Sequence, residues 1–245
     1  MNDFRFKQFG ISQDRCAMKV GTDGVLLGAW AGGGSRILDV GTGTGLIALM
    51  MAQRFPDAQV VGIDLDRDAC SQARDNVARS PFSRRVSITE CRLQEYLAPA
   101  NGCDRLDEKK FVDKELFDAI VSNPPFFVNS MKNPDSKRAM ARHADTLPFR
   151  DLWQGVKRLL SSAGVFSVVL PAEVKENFVA EGCMSGFYLI KECAVKTVER
   201  KAPKRYLLAF SRVRENSLEP VVEVMTDRQG NRSEWYRRIT DKFYL

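Results

Sequence analysis

The sequence has a single histidine, no closely spaced cysteine pair and no long apolar run. His143 stands alone and none of the six cysteines forms a C-x-x-C pair, so the usual ligands of a structural zinc site are missing. No apolar stretch approaches the roughly twenty residues of a membrane span, and the chain has no signal-type start. We therefore expect a cytoplasmic protein with reduced thiols, no metal and no membrane association.

The length and charge of the chain set further bounds. With 245 residues, of which 44% are hydrophobic, the chain can bury the core of one large domain with extensions. Its 37 basic and 31 acidic residues leave a formal net charge of +6. This surplus is compatible with a polyanionic partner, and equally with an ordinary solvated surface.

Apolar runs alternate with helical patterns through most of the chain. The runs with the composition of strands are residues 37–40, 59–64, 85–89, 117–122, 164–170, 187–198 and 206–213. The helical patterns are residues 46–54, 67–79, 149–161, 172–184 and a tail at 233–245. This order predicts an α/β fold with a mostly parallel sheet covered by helices on both faces. The last two strands should form an antiparallel hairpin at the sheet edge, and residues 98–115 an irregular insertion.

Residues 1–34 read as an N-terminal extension, and residues 35–245 as the main domain. Phe4, Phe6 and Phe9 alternate with polar residues, as in an exposed edge strand. Thr22 is then expected to cap a helix that ends near residue 30. At the other end of the chain, the aromatic residues of 243–245 are most simply a packing anchor.

A glycine-rich turn follows the first core strand. Asp39-Val40-Gly41-Thr42-Gly43-Thr44-Gly45 stands between a strand and a helix, where glycines let the backbone approach a ligand closely. The spacing is neither G-x-G-x-x-G nor a P-loop. Asp64 ends the second strand and can accept hydrogen bonds from both hydroxyls of a ribose. The alternative is a glycine turn used only for tight packing.

The tetrapeptide Asn123-Pro124-Pro125-Phe126 follows the fourth strand. The Asn123 amide oxygen and a proline carbonyl can accept the two N–H groups of a planar exocyclic amine, while the Phe126 ring stacks on the attached base. Two such acceptors favour the pyramidal amine needed for attack and stabilise positive charge on nitrogen. The tetrapeptide therefore indicates methylation of an amine, with a plain turn as the alternative.

The glycine turn and the spaced acid together resemble the S-adenosylmethionine-binding core of class I methyltransferases. That resemblance implies a Rossmann-like, mostly parallel seven-stranded sheet. It also implies cofactor contacts by Asp39, Gly41, Gly43, Gly45, Asp64 and Asn123. Many members carry an acid after the third strand that accepts a hydrogen bond from the cofactor's adenine. Here Arg92 fills that region, so we expect adenine contacts from backbone groups near Cys91 and Arg92.

Longer segments resemble one family within this class. They are residues 6–30, residues 122–127 with Ala141-Arg142-His143, and the closing Phe243-Tyr244-Leu245. They are similar to the bacterial tRNA1(Val) (adenine(37)-N6)-methyltransferases over nearly the whole chain. The resemblance implies a tRNA anticodon loop as partner, no obligate protein partner, and a place for Thr22 and Asp23 beside the methionine end of the cofactor.

An RNA substrate needs basic residues for its phosphates and an aromatic ring for the unstacked base. Three basic groups are candidates: Arg5, Lys7, Arg15 and Lys19; Lys132, Lys137, Arg138 and Arg142; and Arg200, Lys201, Lys204 and Arg205. Of these we favour the second, which follows the tetrapeptide. Phe127 is as well explained by the core as by stacking, and His143 is better explained as a loop residue than as a catalytic one.

Other acceptors fit the same tetrapeptide. They are the N2 amine of a guanine in ribosomal RNA, the N6 amine of an adenine in DNA and a glutamine amide in a protein. A non-catalytic RNA-binding protein that retains the fold is a further alternative. The similarity of residues 6–30 and the surplus of basic residues argue against a protein glutamine as the acceptor. They argue only weakly against DNA.

Overall fold

The computed structural model describes residues 3–16, 19–96, 116–125, 147–215 and 217–245. The strands are β1 (Phe4–Arg5), β2 (Gly10–Ile11), β3 (Arg36–Val40), β4 (Gln59–Asp64), β5 (Val86–Glu90), β6 (Phe117–Ser122), β7 (Leu160–Pro171), β8 (Tyr188–Val198), β9 (Arg205–Ser211) and β10 (Val221–Thr226). The helices are α1 (Thr22–Trp30), α2 (Leu46–Arg54), α3 (Arg67–Ala78), α4 (Leu93–Tyr96), α5 (Phe149–Leu159), α6 (Lys175–Met184) and α7 (Glu234–Thr240). None of these helices is long and apolar enough to cross a membrane.

The central sheet confirms the predicted α/β class and extends it. Its strand order is β10-β8-β9-β7-β6-β3-β4-β5, and only β9 runs antiparallel to its neighbours. The predicted number of seven strands was wrong. An eighth strand, β10, pairs in parallel with β8 at the sheet edge. Its Val221 and Val222 are largely exposed, so it lacks the buried apolar alternation by which strands are found in a sequence.

Helices cover both faces of the sheet, as predicted. On one face α1 and α2 pack over β3, β4 and β7, and α7 packs on α1 and β10. On the other, α5 and α6 enclose a cluster around Trp153, whose ring lies 5.2 Å from Phe166 and 4.9 Å from Phe210. Because large aromatic side chains contribute most to core energetics, this cluster anchors the half of the sheet that carries β7 and β9.

Two predictions for the N-terminal extension were wrong. Phe6 and Phe9 are 4% and 6% exposed, because they stack on each other and Phe6 also stacks on Tyr244. The predicted strand is present, since β1 pairs antiparallel with β2, but it is not exposed: its aromatic residues belong to a cluster that joins the two ends of the chain. Thr22 is the first residue of α1; the cap is Gly21, and no side chain supplies a capping hydrogen bond. The expected C-terminal anchor is confirmed by Phe243, which is buried.

Two helices end earlier than the sequence predicted. Helix α5 ends at Leu159 because Leu160 already pairs with Phe117 as the first residue of β7. The tail helix ends at Thr240, so only part of 233–245 is helical, and the Ser233 side chain caps it by accepting from the Tyr236 amide. The predicted insertion at 98–115 lies outside the described residues.

Candidate functional site

The site lies where the order of the parallel strands reverses. From β3 the chain proceeds outward through β4 and β5, then returns to place β6 on the other side of β3. Such a switch point leaves a crevice beyond the carboxyl ends of the two central strands. Here the Ser122 hydroxyl donates to the Val40 carbonyl at 2.9 Å, which fixes the two strand ends side by side.

The glycine turn forms one wall of this crevice. Gly41 and Gly43 have φ of +71° and +52°, which side chains with a Cβ rarely adopt. A Cβ built on either would meet nothing within 4 Å, so both face open space. The Gly41 and Thr42 amides donate to the Ile63 carbonyl at 2.9 and 3.0 Å. The turn is therefore held against the end of β4 while its glycines stay open to a ligand.

Asp39 supports this turn from below. It is fully buried, and its Oδ2 accepts from the Thr42 hydroxyl at 2.7 Å and from the Ala48 amide at 3.1 Å. Its Oδ1 is buried with no hydrogen-bond partner among the described residues. Burial raises the pKa of this carboxyl to about 7, although the two hydrogen bonds oppose the shift. The structure gives Asp39 the position of a support, behind the residues that face the cavity.

Asp64 sits at the mouth of the crevice. Its Oδ2 accepts from the Gly43 amide at 2.8 Å and its Oδ1 from the Asp66 amide at 3.0 Å. Desolvation raises the pKa of this half-buried carboxyl, while backbone hydrogen bonds from Asp66, Gly43 and Leu65 lower it. A carboxylate has about four acceptor positions, so the backbone does not occupy all of them.

The amine-binding tetrapeptide begins directly after β6. Pro124 is buried and Pro125 exposed, while Asn123 is half-buried. No residue in the described ranges hydrogen-bonds to the Asn123 side chain. Phe126 lies outside the described residues, as do Phe127, His143 and the basic group at 132–142.

These elements border one cavity of about 450 Å³, a size typical of small-molecule sites. Eight predicted site residues line it: Gly41, Gly43, Asp64, Cys91, Arg92, Asn123, Pro124 and Pro125. Thr22, Asp23, Asp39 and Gly45 are outside its wall. Gly45 instead serves as the left-handed N-cap of α2, with φ of +80°.

One backbone group near Cys91 already has a partner within the sheet. The Cys91 amide donates to the Asp64 carbonyl at 2.9 Å and so extends the β4–β5 pairing. It is therefore occupied and cannot bind an adenine. The adjoining surface is apolar instead, because Leu65, 42% exposed, lines the cavity together with Ile63 and Leu93.

Thr22 and Asp23 begin α1 behind the glycine turn. A Cβ on the next residue, Gly24, would lie 3.1 Å from Leu46, the first residue of α2. Asp23 is paired with Arg205, whose Nε is 2.7 Å from its Oδ1. Its carboxylate therefore already has a cationic partner from β9.

Hydrogen bonds of Asn76, which we call the Asn76 clasp, connect the N-terminal extension to the glycine turn, and the sequence does not predict them. The buried Asn76 accepts from the Ser12 amide at 3.0 Å and donates to the carbonyls of Ser12 and Thr44, each at 2.9 Å. Four residues beyond Ser12, Cys16 lines the cavity. Burial raises the pKa of its thiol to about 11, so it stays protonated at neutral pH. The contacts with Ser12 span 64 positions of sequence and the contact with Thr44 spans 32, so no local pattern signals them.

The chain is similar in sequence to known methyltransferases. A family model described as a methyltransferase domain matches residues 32–210. A tRNA1(Val) (adenine(37)-N6)-methyltransferase from Bacteroides thetaiotaomicron is 43% identical, with 99% of this chain and 97% of that protein covered. A protein of the same name from Phocaeicola vulgatus is 45% identical with the same coverage.

Solved structures agree on the fold. A predicted O-methyltransferase from Agrobacterium tumefaciens superposes with a TM-score of 0.63 at 18% identity, covering 90% of this chain and 96% of that one. The glycopeptide N-methyltransferase MtfA, crystallised with S-adenosyl-L-methionine, superposes with a TM-score of 0.53 at 13% identity, covering 80% and 100%. At these identities the likeness concerns the fold alone.

Proposed function

This chain belongs to the tRNA1(Val) (adenine(37)-N6)-methyltransferase family, and on that premise we propose that it methylates the N6 amine of adenine 37 in the anticodon loop of tRNA1(Val), with S-adenosylmethionine as methyl donor. One observation carries the proposal: Asn123, Pro124 and Pro125 line the same cavity as Gly41, Gly43 and Asp64. An amine held by the first group therefore lies beside a cofactor held by the second. A cytoplasmic location suits a tRNA substrate.

The residues of the cavity fit the cofactor. Gly41 and Gly43 leave open space against its wall, and Asp64 keeps acceptor capacity for a ribose hydroxyl. Leu65 offers an exposed apolar side chain next to Asp64, suited to one face of the adenine. Asp64 and Asp66 add negative charge near a cationic ligand. The bound cofactor supplies a methyl group activated on a sulfonium.

The tetrapeptide positions the acceptor. The Asn123 Oδ1 accepts one N–H of the adenine amine and the Pro124 carbonyl accepts the other. Together they favour the pyramidal amine and stabilise positive charge that develops on nitrogen. The prolines restrict φ, so the carbonyl is preorganised. Placing nitrogen, methyl carbon and sulfur in line supplies much of the rate enhancement, and this scheme needs no strong general base.

Labelled cofactor decides between this proposal and its rivals. The protein is incubated with methyl-labelled S-adenosylmethionine and separate pools of tRNA, ribosomal RNA, DNA and protein. We expect label in tRNA alone. Label confined to protein, DNA or ribosomal RNA contradicts the proposed acceptor, and cofactor binding without transfer to any pool supports a non-catalytic role.

A further inference from the structure

The turn between β8 and β9, residues 199–204, stands at the same edge of the sheet as the cavity. Strand β7 runs parallel to β6, β9 runs back, and β8 runs parallel to β7, so this turn lies at the carboxyl ends of the parallel strands. We refer to it as the hairpin tip. Strand β9 is two strands from β6 and β8 is three, which places the tip about 10–15 Å to the side of Asn123.

The register shows that the hairpin tip also rises above the cavity. Ser122, the last residue of β6, is level with Val168, and β7 continues for three more residues to Pro171, which pairs with Arg205. Three residues of strand add about 10 Å. The tip begins at that height. Its base is held by backbone hydrogen bonds from the Lys204 amide to Val195 and from the Ala172 amide to Lys204, both 3.2 Å.

The hairpin tip carries three exposed cations: Arg200, Lys201 and Lys204. The structure shows none of them in an ion pair with another described residue. The acid at the start of the tip, Glu199, is already engaged by Arg228, whose Nε and Nη2 lie 2.6 and 3.0 Å from its two oxygens. Glu173, which follows Ala172, contributes one exposed carboxylate. The net charge of the hairpin tip and its surroundings is therefore positive.

Among the other basic candidates in the described part of the chain, Arg5 and Lys19 are exposed, and three already have partners. Arg15 pairs with Asp75 and bonds to Ser71, so it fastens the N-terminal extension to α3. Lys7 Nζ bonds to the Asp241 carbonyl at 2.5 Å. Arg205, next to the tip, pairs with Asp23. A cation that already neutralises a carboxylate gains less from a phosphate, so these side chains serve the fold and the tip cations stay available.

We propose that the hairpin tip binds the sugar-phosphate backbone of the tRNA beside the target nucleotide. This inference rests on the proposed function, because it assumes an RNA whose base enters the cavity. Phosphate contacts fix orientation without reading sequence. A positive hairpin tip beside the cavity and above its level can hold the strand while one base is turned down toward Asn123. An adenine in a loop is suited to this, since extracting it breaks no duplex.

A matched pair of double variants tests the proposal. R200Q/K201Q removes one arginine and one lysine from the tip. R84Q/K157Q removes the same two residue types from exposed positions near the amino ends of the parallel strands, away from the cavity. Arg84 precedes β5 and Lys157 lies near the end of α5. Binding of the unmodified tRNA is titrated with the full-length proteins at several salt concentrations, and S-adenosylmethionine binding is measured in parallel.

We expect R200Q/K201Q to weaken tRNA binding roughly tenfold at 0.1 M salt and to lower the slope of log Kd against log salt by about one to two units. R84Q/K157Q should bind tRNA within about twofold of the parent protein. Both should bind S-adenosylmethionine like the parent, which shows that they are folded. K204Q added to the tip variant should weaken tRNA binding again.

Two results overturn the proposal: a tip variant that binds tRNA as the parent does, or equal weakening in both double variants, which would mean diffuse attraction. If the tip variant loses affinity for DNA or a protein in place of tRNA, the partner named here is wrong. Failure of the proposed function is separate, because it appears as a parent protein that binds tRNA without methylating it.

Discussion

The two walls of the cavity are built differently. On the glycine-turn side nearly every polar group is tied to the fold: Asp39 holds Thr42 and Ala48, Asp64 holds Gly43, and Asn76 holds Thr44. On the other side Asn123 has no such partner within the described ranges. The first wall is preorganised for a small ligand that is always the same. The second presents a short acceptor set to a group carried by a macromolecule.

The largest effect should come from the wall that carries Asn123. Asn123→Ala removes an acceptor for the reacting amine, so we expect single-turnover methyl transfer to slow by about 100-fold or more, ~2–3 kcal/mol. Cofactor affinity, measured by calorimetry, should stay within about twofold. The control Asn177→Ala removes an exposed asparagine of α6 and should change neither. Equal turnover by Asn123→Ala would break the assignment of this wall to the acceptor.

The opposite wall should show the opposite pattern. Asp64→Ala removes a charged acceptor from the cofactor and from the Gly43 amide, so we expect cofactor Kd to rise roughly 10- to 100-fold. Transfer at saturating cofactor should fall much less. Asp57→Ala, which removes an exposed aspartate in the turn before β4, is the matched control. Unchanged cofactor affinity would exclude Asp64 from the site.

Stability should also depend on the tied wall. Asn76→Ala leaves buried backbone groups of Ser12 and Thr44 without partners, which is expected to lower the free energy of unfolding by about 2 kcal/mol. Denaturant titration measures this, and Asn177→Ala should cost less than about 0.5 kcal/mol. A stable Asn76→Ala protein would show that the clasp contributes little.

The last prediction concerns the pH dependence of stability. Because the pKa of Asp39 is about 7 in the folded protein and near 3.8 when unfolded, the folded state binds more protons between these values. Stability from this group is thus lost as pH rises from about 4 to 7, by at most about 1.4 kcal/mol per pH unit. In Asp39→Asn that component should vanish. If the unfolding free energies of the two proteins varied with pH in the same way, the raised pKa of this buried acid would be contradicted.

Local patterns predicted the parts of the site that are continuous in sequence. The turn at 39–45 and the tetrapeptide after β6 are each short, and parallel strands bring their ends to one edge, so their meeting followed from strand order. Asp64 was found for the same reason, since it ends the strand next to β3.

The features that the sequence did not predict depend on contacts between distant segments of the chain. The Asn76 clasp joins positions 12, 44 and 76, and Phe6 is buried by Tyr244 at the other end of the chain. Cys91 looked free because its amide partner, the Asp64 carbonyl, is set by strand register. Strand β10 escaped because an edge strand with exposed valines has no buried face to mark it.

The most direct test of the central claim is mass spectrometry of nuclease-digested tRNA after incubation with the protein and S-adenosylmethionine. If the two walls serve one reaction, N6-methyladenosine should appear at a single anticodon-loop position of tRNA1(Val), and it should be lost with Asn123→Ala. Methylation at another nucleotide, or none in tRNA while another acceptor is labelled, would contradict the account.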